Sequence, residues 1–246
     1  MWKIISYVLT GSSHIESKIP CQDYVTFISN NDCCVIVLAD GAGSASHSIE
    51  GARAVSDMCA KWLLSHFDSA FMENEKVLKK RLKVKITTEL LKVSKKLGMV
   101  DLKQLSSTLL FVAIQNDQYI TCHIGDGVIG VTINGVEEVL SDPERGEFAN
   151  NTFFTTSLRI EHIRIQRGSL GSIRSFYLMS DGSADCLYLT TDNTFAPAVE
   201  KLSASLAADK TEGSASSNKL LAEVMEQHFR SHTTDDCSFI MVQWNN

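Results

Sequence analysis

Apolar and polar positions along the chain separate into short strand-like runs and longer helical stretches. The strand-like runs dominate both ends, and two helical stretches follow one another between them. The run from Cys33 to Ala39 is apolar at every position, which indicates a strand buried on both faces. The pattern predicts strands at residues 2–9, 23–29, 33–39, 107–115, 118–124, 127–133, 160–167, 173–180 and 237–244.

Helices are predicted where apolar residues recur at intervals of three and four. Two such faces are formed by Ala52, Val55, Cys59, Trp62, Leu63 and His66, and by Leu82, Ile86, Leu90, Val93 and Leu97. Further helices are predicted over 197–208 and 218–230, and loops over 141–151 and 211–217. Strands at both ends around a central helix pair favour antiparallel sheets with helices packed outside, rather than alternating β-α-β units.

Composition places the chain among ordinary globular proteins. Its 246 residues are 44% apolar and 21% charged, which is consistent with one domain over residues 1–246. The net charge is −6, and the most basic stretch, 76–85, also has helical apolar spacing, so nucleic-acid binding is not expected. No segment approaches the roughly 20 apolar residues of a membrane span, and residues 1–9 are interpreted as a strand rather than a signal peptide.

Seven cysteines lie mostly in or beside apolar runs, without a Cys-x-x-Cys pair. We interpret them as reduced, small apolar core residues, which predicts a cytoplasmic protein.

Aspartates recur where predicted strands end. Asp40, Asp126 and Asp181 each come after a predicted strand, and each is followed by glycine. Three further aspartates border predicted strands, namely Asp23, Asp235 and Asp236. Glycine lets the backbone turn sharply beside an ion, and converging carboxylates need cations, for which Mg²⁺ and Mn²⁺ are the natural choice. A single Asp-Gly step is ordinarily a turn, so the spacing alone leaves open whether these aspartates bind metal ions or only form turns.

Several short motifs occur in a fixed order over nearly the whole chain. They are Gly11-Ser12-Ser13-His14 with Pro20-Cys21-Gln22-Asp23, Asp40-Gly41-Ala42-Gly43-Ser44, Ser107-Thr108-Leu109, Ile124-Gly125-Asp126-Gly127, Gly146-Glu147-Phe148-Ala149-Asn150, Ser180-Asp181-Gly182 and Thr234-Asp235-Asp236. In this order they resemble the type 2C, metal-dependent protein phosphatases, particularly the short stand-alone bacterial members. The resemblance implies an α+β fold, a sandwich of two antiparallel β-sheets flanked by helix pairs. It also implies hydrolysis of phosphoserine and phosphothreonine in proteins.

The same resemblance assigns a metal-binding role to each motif. It implies two Mn²⁺ or Mg²⁺ ions about 4 Å apart, sharing a water that becomes the attacking hydroxide. The implied ligands are Asp40 as the bridge, the Gly41 carbonyl, Asp181, Asp235, Asp23 directly or through water, and Asp126 for a weaker third ion. Asp40, Asp181 and Asp235 would be catalytic through this metal-bound water.

The chain also departs from the family pattern. Ala42 stands where many members have a histidine that is a candidate general acid, so His14 and His47 become candidates by proximity in sequence. Lys18 stands where eukaryotic members have a phosphate-gripping arginine, and we predict that it binds phosphate as a point charge. Gln22 replaces a glutamate and cannot be a charged ligand.

The loop around 146–151 resembles the variable flap near the family's active site. Glu147 and Asn150 could touch substrate there, but a structural role in the loop is the favoured interpretation.

Three functions remain open at this point. The leading one is a phosphatase of phosphorylated proteins that opposes a serine/threonine kinase. The second is a two-metal hydrolase of small phosphate esters, and the third is a non-catalytic phosphatase-fold binding module.

Overall fold

The computed structural model describes residues 2–98, 101–144, 152–157 and 159–244. These residues form two five-stranded sheets packed face to face, with helices on both outer sides. Neighbouring strands are antiparallel throughout both sheets. The predicted sandwich of two antiparallel sheets flanked by helices is therefore confirmed.

The strands fall into the two sheets in an order that differs from the chain order. The first sheet contains, from edge to edge, β1 (Trp2–Leu9), β12 (Cys237–Trp244), β9 (Ile173–Met179), β6 (Val128–Ile133) and β7 (Val136–Ser141). The second contains β2 (Tyr24–Ser29), β3 (Cys33–Ala39), β4 (Leu109–Gln115), β5 (Gln118–Ile124) and β8 (Arg164–Ser169). A short hairpin joins β10 (Tyr188–Leu189) and β11 (Thr194–Phe195).

Six α-helices are found among the described residues. They are α1 (Ser12–Ser17), α2 (Ser48–Met72), α3 (Glu75–Leu97), α4 (Asp181–Leu187), α5 (Pro197–Ala208) and α6 (Ala215–His228). The helices α2 and α3 cover the outer face of the second sheet, while α4, α5 and α6 cover the outer face of the first. The basic stretch 76–85 lies within α3.

Strand β3 shows why a strand in this fold is apolar at every position. Successive side chains of a strand point to opposite faces. Cys34, Ile36 and Leu38 pack between the two sheets, whereas the alternate side chains, such as Val35 and Val37, pack under the helix pair. Both faces of β3 are therefore covered, as its apolar run predicts.

The helix pair has clear boundaries in the sequence. The Asn74 side chain caps the start of α3 by accepting a hydrogen bond from the Lys76 backbone amide at 3.0 Å. Gly98 ends the helix in the left-handed region at φ 69°, where a glycine is favoured. Both helices extend beyond the predicted apolar faces, and the added turns contribute further buried core residues, among them Phe67 in α2 and Leu78 in α3.

The structure differs from the sequence prediction in several elements. The predicted strand over 160–167 begins only at Arg164. The predicted loop over 211–217 is wrong at its end, because α6 already begins at Ala215. The strand β7 was missed, because apolar and polar residues do not alternate regularly along it. The helices α1 and α4 were missed because each is too short to show a helical period. The part of the predicted flap over 145–151, including Glu147 and Asn150, lies outside the described residues.

The cysteine prediction agrees with the structure. All seven cysteines are free, and five of them are buried.

In the described part of the chain, no helix combines the length and apolar character needed to cross a membrane.

Candidate metal centre

Asp40 is held at the end of β3 by contacts with the beginning of β4. Its backbone amide donates to the Thr108 hydroxyl at 2.9 Å, and its carbonyl accepts from the Thr108 amide at 2.8 Å. The next residue, Gly41, donates from its amide to the Gln22 carbonyl at 3.2 Å. A Cβ atom at Gly41 would lie 2.8 Å from both that carbonyl and the Ser48 Cβ, so only glycine fits this approach.

Asp126 lies in the connection between β5 and β6. Gly125 before it has φ +114°, and a Cβ there would lie 2.6 Å from the Thr108 side chain. One oxygen of the Asp126 carboxylate accepts a hydrogen bond from the Thr152 hydroxyl, and the other has no hydrogen-bond partner. The glycine therefore brings Asp126 against the same strand that holds Asp40.

Asp181 is the first residue of α4, and Ser180 alone separates it from β9. Its carboxylate accepts from the Gly182 amide at 2.7 Å, which is favourable at a helix N-terminus. A Cβ at Gly182 would lie only 2.2 Å from the Asp236 carbonyl, so α4 begins tightly against the turn before β12. The strand order of the first sheet, with β12 beside β9, creates this contact.

The three aspartates Asp40, Asp126 and Asp181 lie close together. Asp40, Asp126 and Asp181 are half-buried, and each places a carboxylate oxygen within 4.8 Å of the other two. Among the described residues, these three side chains form the group whose ligand atoms are close enough together to hold a metal ion.

A small cavity of about 160 Å³ lies over this cluster. It is lined by His14, Gln22, Asp40, Gly41, Ala42, Gly43, Asp126, Thr152, Phe154, Asp181, Asp235 and Asp236. Asp235 is exposed, and its carboxylate accepts from the Asp236 amide at 2.8 Å. It lines the cavity without belonging to the tight cluster.

Asp23 occupies a different position from the other predicted ligands. It is only 4% exposed, and it is not among the residues that line the cavity. Neither of its carboxylate oxygens has a partner at hydrogen-bonding geometry, although the Ser180 and Ser238 hydroxyls are close enough to lower its pKa in part. Its neighbour on the cavity side is Asp40, whose pKa it raises.

The electrostatics of the site favour a bound cation. Burial, followed by the charges of Asp23, Asp181 and Asp126, holds the pKa of Asp40 well above its usual range. Burial is also the main cause that raises the pKa of Asp181 to about 7 and that of Asp23 to about 6. Carboxylates that repel one another and have unpartnered oxygens form a donor set suited to hard divalent ions.

The other predicted residues differ in whether they line the cavity. Lys18 ends α1 in the left-handed region at φ 58°, is exposed, and is not among the residues lining the cavity. His47 is also outside this lining and lies 3.5 Å from the Glu50 carboxylate. Ala42 does line the cavity, so the position where the family has a histidine faces the site.

Asp236 is the site residue whose role sequence reasoning missed. It is buried, lines the cavity, and accepts hydrogen bonds from the Gly11 amide, the Gln22 amide and His14. The motif pairs two aspartates, but nothing in it distinguishes the exposed one from the buried one. Thr152 and Phe154 were also missed, since neither belongs to a quoted motif.

The family model for Protein phosphatase 2C matches residues 10–226, which is most of the chain. The chain belongs to the protein phosphatase 2C family. The resemblance found in its motifs is therefore confirmed, although the matched region ends before Asp235.

Known serine and serine/threonine phosphatases are similar to the chain in sequence or in fold. It is 25% identical over 160 residues to serine/threonine-protein phosphatase 3 of Escherichia coli (strain K12), and the match covers 63% of each chain. The chain thus spans somewhat less than two thirds of that relative's length. A bacterial serine phosphatase gives a TM-score of 0.68 at 16% identity, covering 100% of this chain and 99% of its own. Serine/threonine phosphatase Stp1 from Staphylococcus aureus gives a TM-score of 0.66 at 14% identity. The match covers 100% of this chain and 96% of that protein. At such identities these structures show a shared fold.

Proposed function

We propose that this chain hydrolyses phosphoserine and phosphothreonine in proteins, using divalent cations held at the aspartate cluster. The observation that carries the proposal is the convergence of Asp40, Asp126 and Asp181 within 4.8 Å of one another. Family membership and the name of the Escherichia coli relative support a serine/threonine phosphatase.

The residues that would hold the ions are those that the resemblance to the family's motifs implies. Asp40 lies centrally and would contact two ions, with the Gly41 carbonyl beside it. Asp181 and Asp235 would complete one site, and Asp23 would act on a metal directly or through water. Asp126, whose second oxygen has no partner, would hold a weaker third ion.

The cations would neutralise the phosphoryl oxygens, lower the pKa of the attacking water and stabilise the charge that develops during displacement. Without them, a phosphate dianion would meet five aspartates in the lining of the cavity and be repelled. Manganese and magnesium both suit an all-oxygen donor set.

The test is phosphate release from a phosphothreonine peptide with Mn²⁺, with EDTA, and with Asp181→Asn. We expect activity to require metal and to fall at least about 100-fold in the variant. Asp185→Asn is the matched control, since Asp185 is an exposed residue of the same helix and should leave activity unchanged. Full activity in EDTA, or in Asp181→Asn, would overturn the proposal.

Two other functions are separated by the same assay. A higher kcat/KM on nucleotides or small phosphate esters than on phosphopeptides would indicate the small-ester hydrolase. Metal binding without hydrolysis of any phosphate ester would indicate a binding module.

If the chain is a protein phosphatase, its phosphorylated protein substrate implies an opposing serine/threonine kinase. A cytoplasmic location remains a prediction from the free cysteines.

A further inference from the structure

The short helix α1 is fixed against the turn that precedes β12. The Ser13 amide and hydroxyl both donate to the Thr234 carbonyl, at 3.1 and 2.7 Å. A Cβ at Gly11 would lie 2.4 Å from that same carbonyl, so the chain approaches the turn as closely as a glycine allows. This packing places His14 at the edge of the cavity.

The ring of His14 is oriented by a buried carboxylate. Asp236 is 3% exposed and accepts from the Gly11 amide at 2.7 Å, from the Gln22 amide at 2.7 Å and from His14 Nδ1 at 2.8 Å. An ionised aspartate can only accept hydrogen bonds, so opposite the Asp236 carboxylate His14 Nδ1 is the donor and carries a hydrogen. Asp236 is thus occupied in holding His14.

The second ring nitrogen of His14, Nε2, is free of hydrogen bonds to described residues, and His14 lines the cavity. No described residue forms a hydrogen bond with His14 Nε2, and the side chain retains 15% exposure. Among the described residues that line the cavity, His14 is the one whose side chain can carry a positively charged N–H group. The neighbouring carboxylates are expected to hold cations and so cannot also carry a proton.

Hydrolysis of phosphoserine needs such a proton. Breaking the bond from phosphorus to the serine oxygen leaves an alkoxide, which is a poor leaving group unless it is protonated as the bond breaks. We propose that His14 is the residue that protonates this oxygen, with Asp236 as its positioning residue. The role rests on the proposed phosphatase function.

The attacking water forms a bond from its oxygen to phosphorus and releases one proton to solvent. At the same time the bond from phosphorus to the serine or threonine oxygen breaks, and the electron pair of that bond goes to the serine or threonine oxygen. The oxygen takes the proton from His14 Nε2, which gives the free hydroxyl and inorganic phosphate. His14 then regains a proton from solvent.

The experiment compares two substrates that differ in their need for a proton. The phosphoserine peptide releases an alkoxide, whereas p-nitrophenyl phosphate releases a phenolate that departs without protonation. His14→Asn is the informative variant, because the asparagine amide can still donate to Asp236 in place of Nδ1 but has no counterpart of Nε2. His47→Asn is the control, since His47 lies outside the cavity lining.

With saturating Mn²⁺, we expect His14→Asn to lower kcat on the phosphoserine peptide about 100-fold and kcat on p-nitrophenyl phosphate less than about threefold. Its Mn²⁺-induced rise in Tm should match that of the wild type, which shows that the variant folds and binds metal. Equal loss on both substrates, or no loss on the peptide, would overturn the role of His14. A wild-type protein inactive on both substrates would instead overturn the proposed function, and this role with it.

Discussion

His123 is a histidine whose protonation is set by its two buried neighbours. Its side chain is 1% exposed, with Nε2 at 3.0 Å from the Gly125 carbonyl and Nδ1 at 2.8 Å from the Ser141 hydroxyl. The carbonyl can only accept, so Nε2 donates and the neutral Nδ1 accepts from Ser141. Burial, with the charge of Arg164 nearby, holds the pKa of His123 well below its usual range.

This lowered pKa makes an acid-dependent contribution to stability. Below a pH of about 6.5, His123 binds a proton in the unfolded chain but stays neutral in the folded chain. The free energy of unfolding therefore falls as the pH falls. We expect His123→Gln to be less stable than wild type by about 1–2 kcal/mol near pH 7.5, because the Ser141 bond is lost. The difference should shrink by at least about 1 kcal/mol near pH 5.

The measurement is urea unfolding of both proteins in EDTA, where other titrating groups contribute equally. His228→Gln, at the exposed end of α6, should follow the wild-type pH dependence. A difference between wild type and His123→Gln that is constant with pH would contradict the assignment.

The start of α2 shows how one helix controls the position of a site residue. A Cβ at Gly51 would lie 2.0 Å from the Leu105 carbonyl, in the segment that leads into β4. That segment supports the site, since the Ser106 carbonyl accepts from the Ala42 amide at 3.0 Å and Gly41 forms a bridge with Ser107. Close contact between α2 and this segment therefore positions the residues after Asp40.

We predict that Gly51→Ala destabilises the protein by about 1–3 kcal/mol through overpacking. Helix propensity alone predicts the opposite sign, because alanine is favoured over glycine in a helix by about 1 kcal/mol. Chemical denaturation measures the change, and Ser65→Ala on the exposed side of α2 should stay within about 0.5 kcal/mol of wild type. A stabilised Gly51→Ala protein would show that α2 can move away from this segment.

The whole molecule concentrates negative charge where its two sheets meet. Asp23 and Asp40 come from the second sheet, Asp181 and Asp235 from the first, and the repulsion among them is a cost of folding without metal. A carboxyl group whose pKa is higher in the folded than in the unfolded protein contributes to folding stability, and this contribution is fully present below the ordinary pKa of the group. It is lost as the pH rises through the folded value, about 6 for Asp23 and about 7 for Asp181.

We therefore predict that Asp40→Asn in EDTA unfolds at a higher temperature than wild type near pH 8, since it removes one of the repelling charges. The same variant should lose most of the rise in Tm that Mn²⁺ gives the wild type, and that rise should be smaller near pH 5.5, where protons compete with the metal. Asp32→Asn, in the exposed turn between β2 and β3, is the control and should behave as wild type. A lower Tm for Asp40→Asn in EDTA would contradict the prediction.

Several features of this protein could be predicted from sequence because their causes are local. The apolar run of β3 follows from burial on both faces, and the helix boundary at Gly98 follows from a backbone conformation that favours glycine. Asp40, Asp126 and Asp181 stand out because each follows a strand and precedes a glycine. Such patterns lie within a few residues of one another, so the sequence alone determines them.

Other features were decided only by the tertiary structure. The bond between His14 and Asp236 joins residues 222 positions apart, and it exists because β1 pairs with β12 and brings α1 against the final turn. The same packing buries Asp23 and Asp236 and leaves Asp235 exposed. The short helices α1 and α4 form where this packing supports them. Strand order and close backbone approach decide which side chains meet, and neither is expressed in the local pattern of apolar and polar residues.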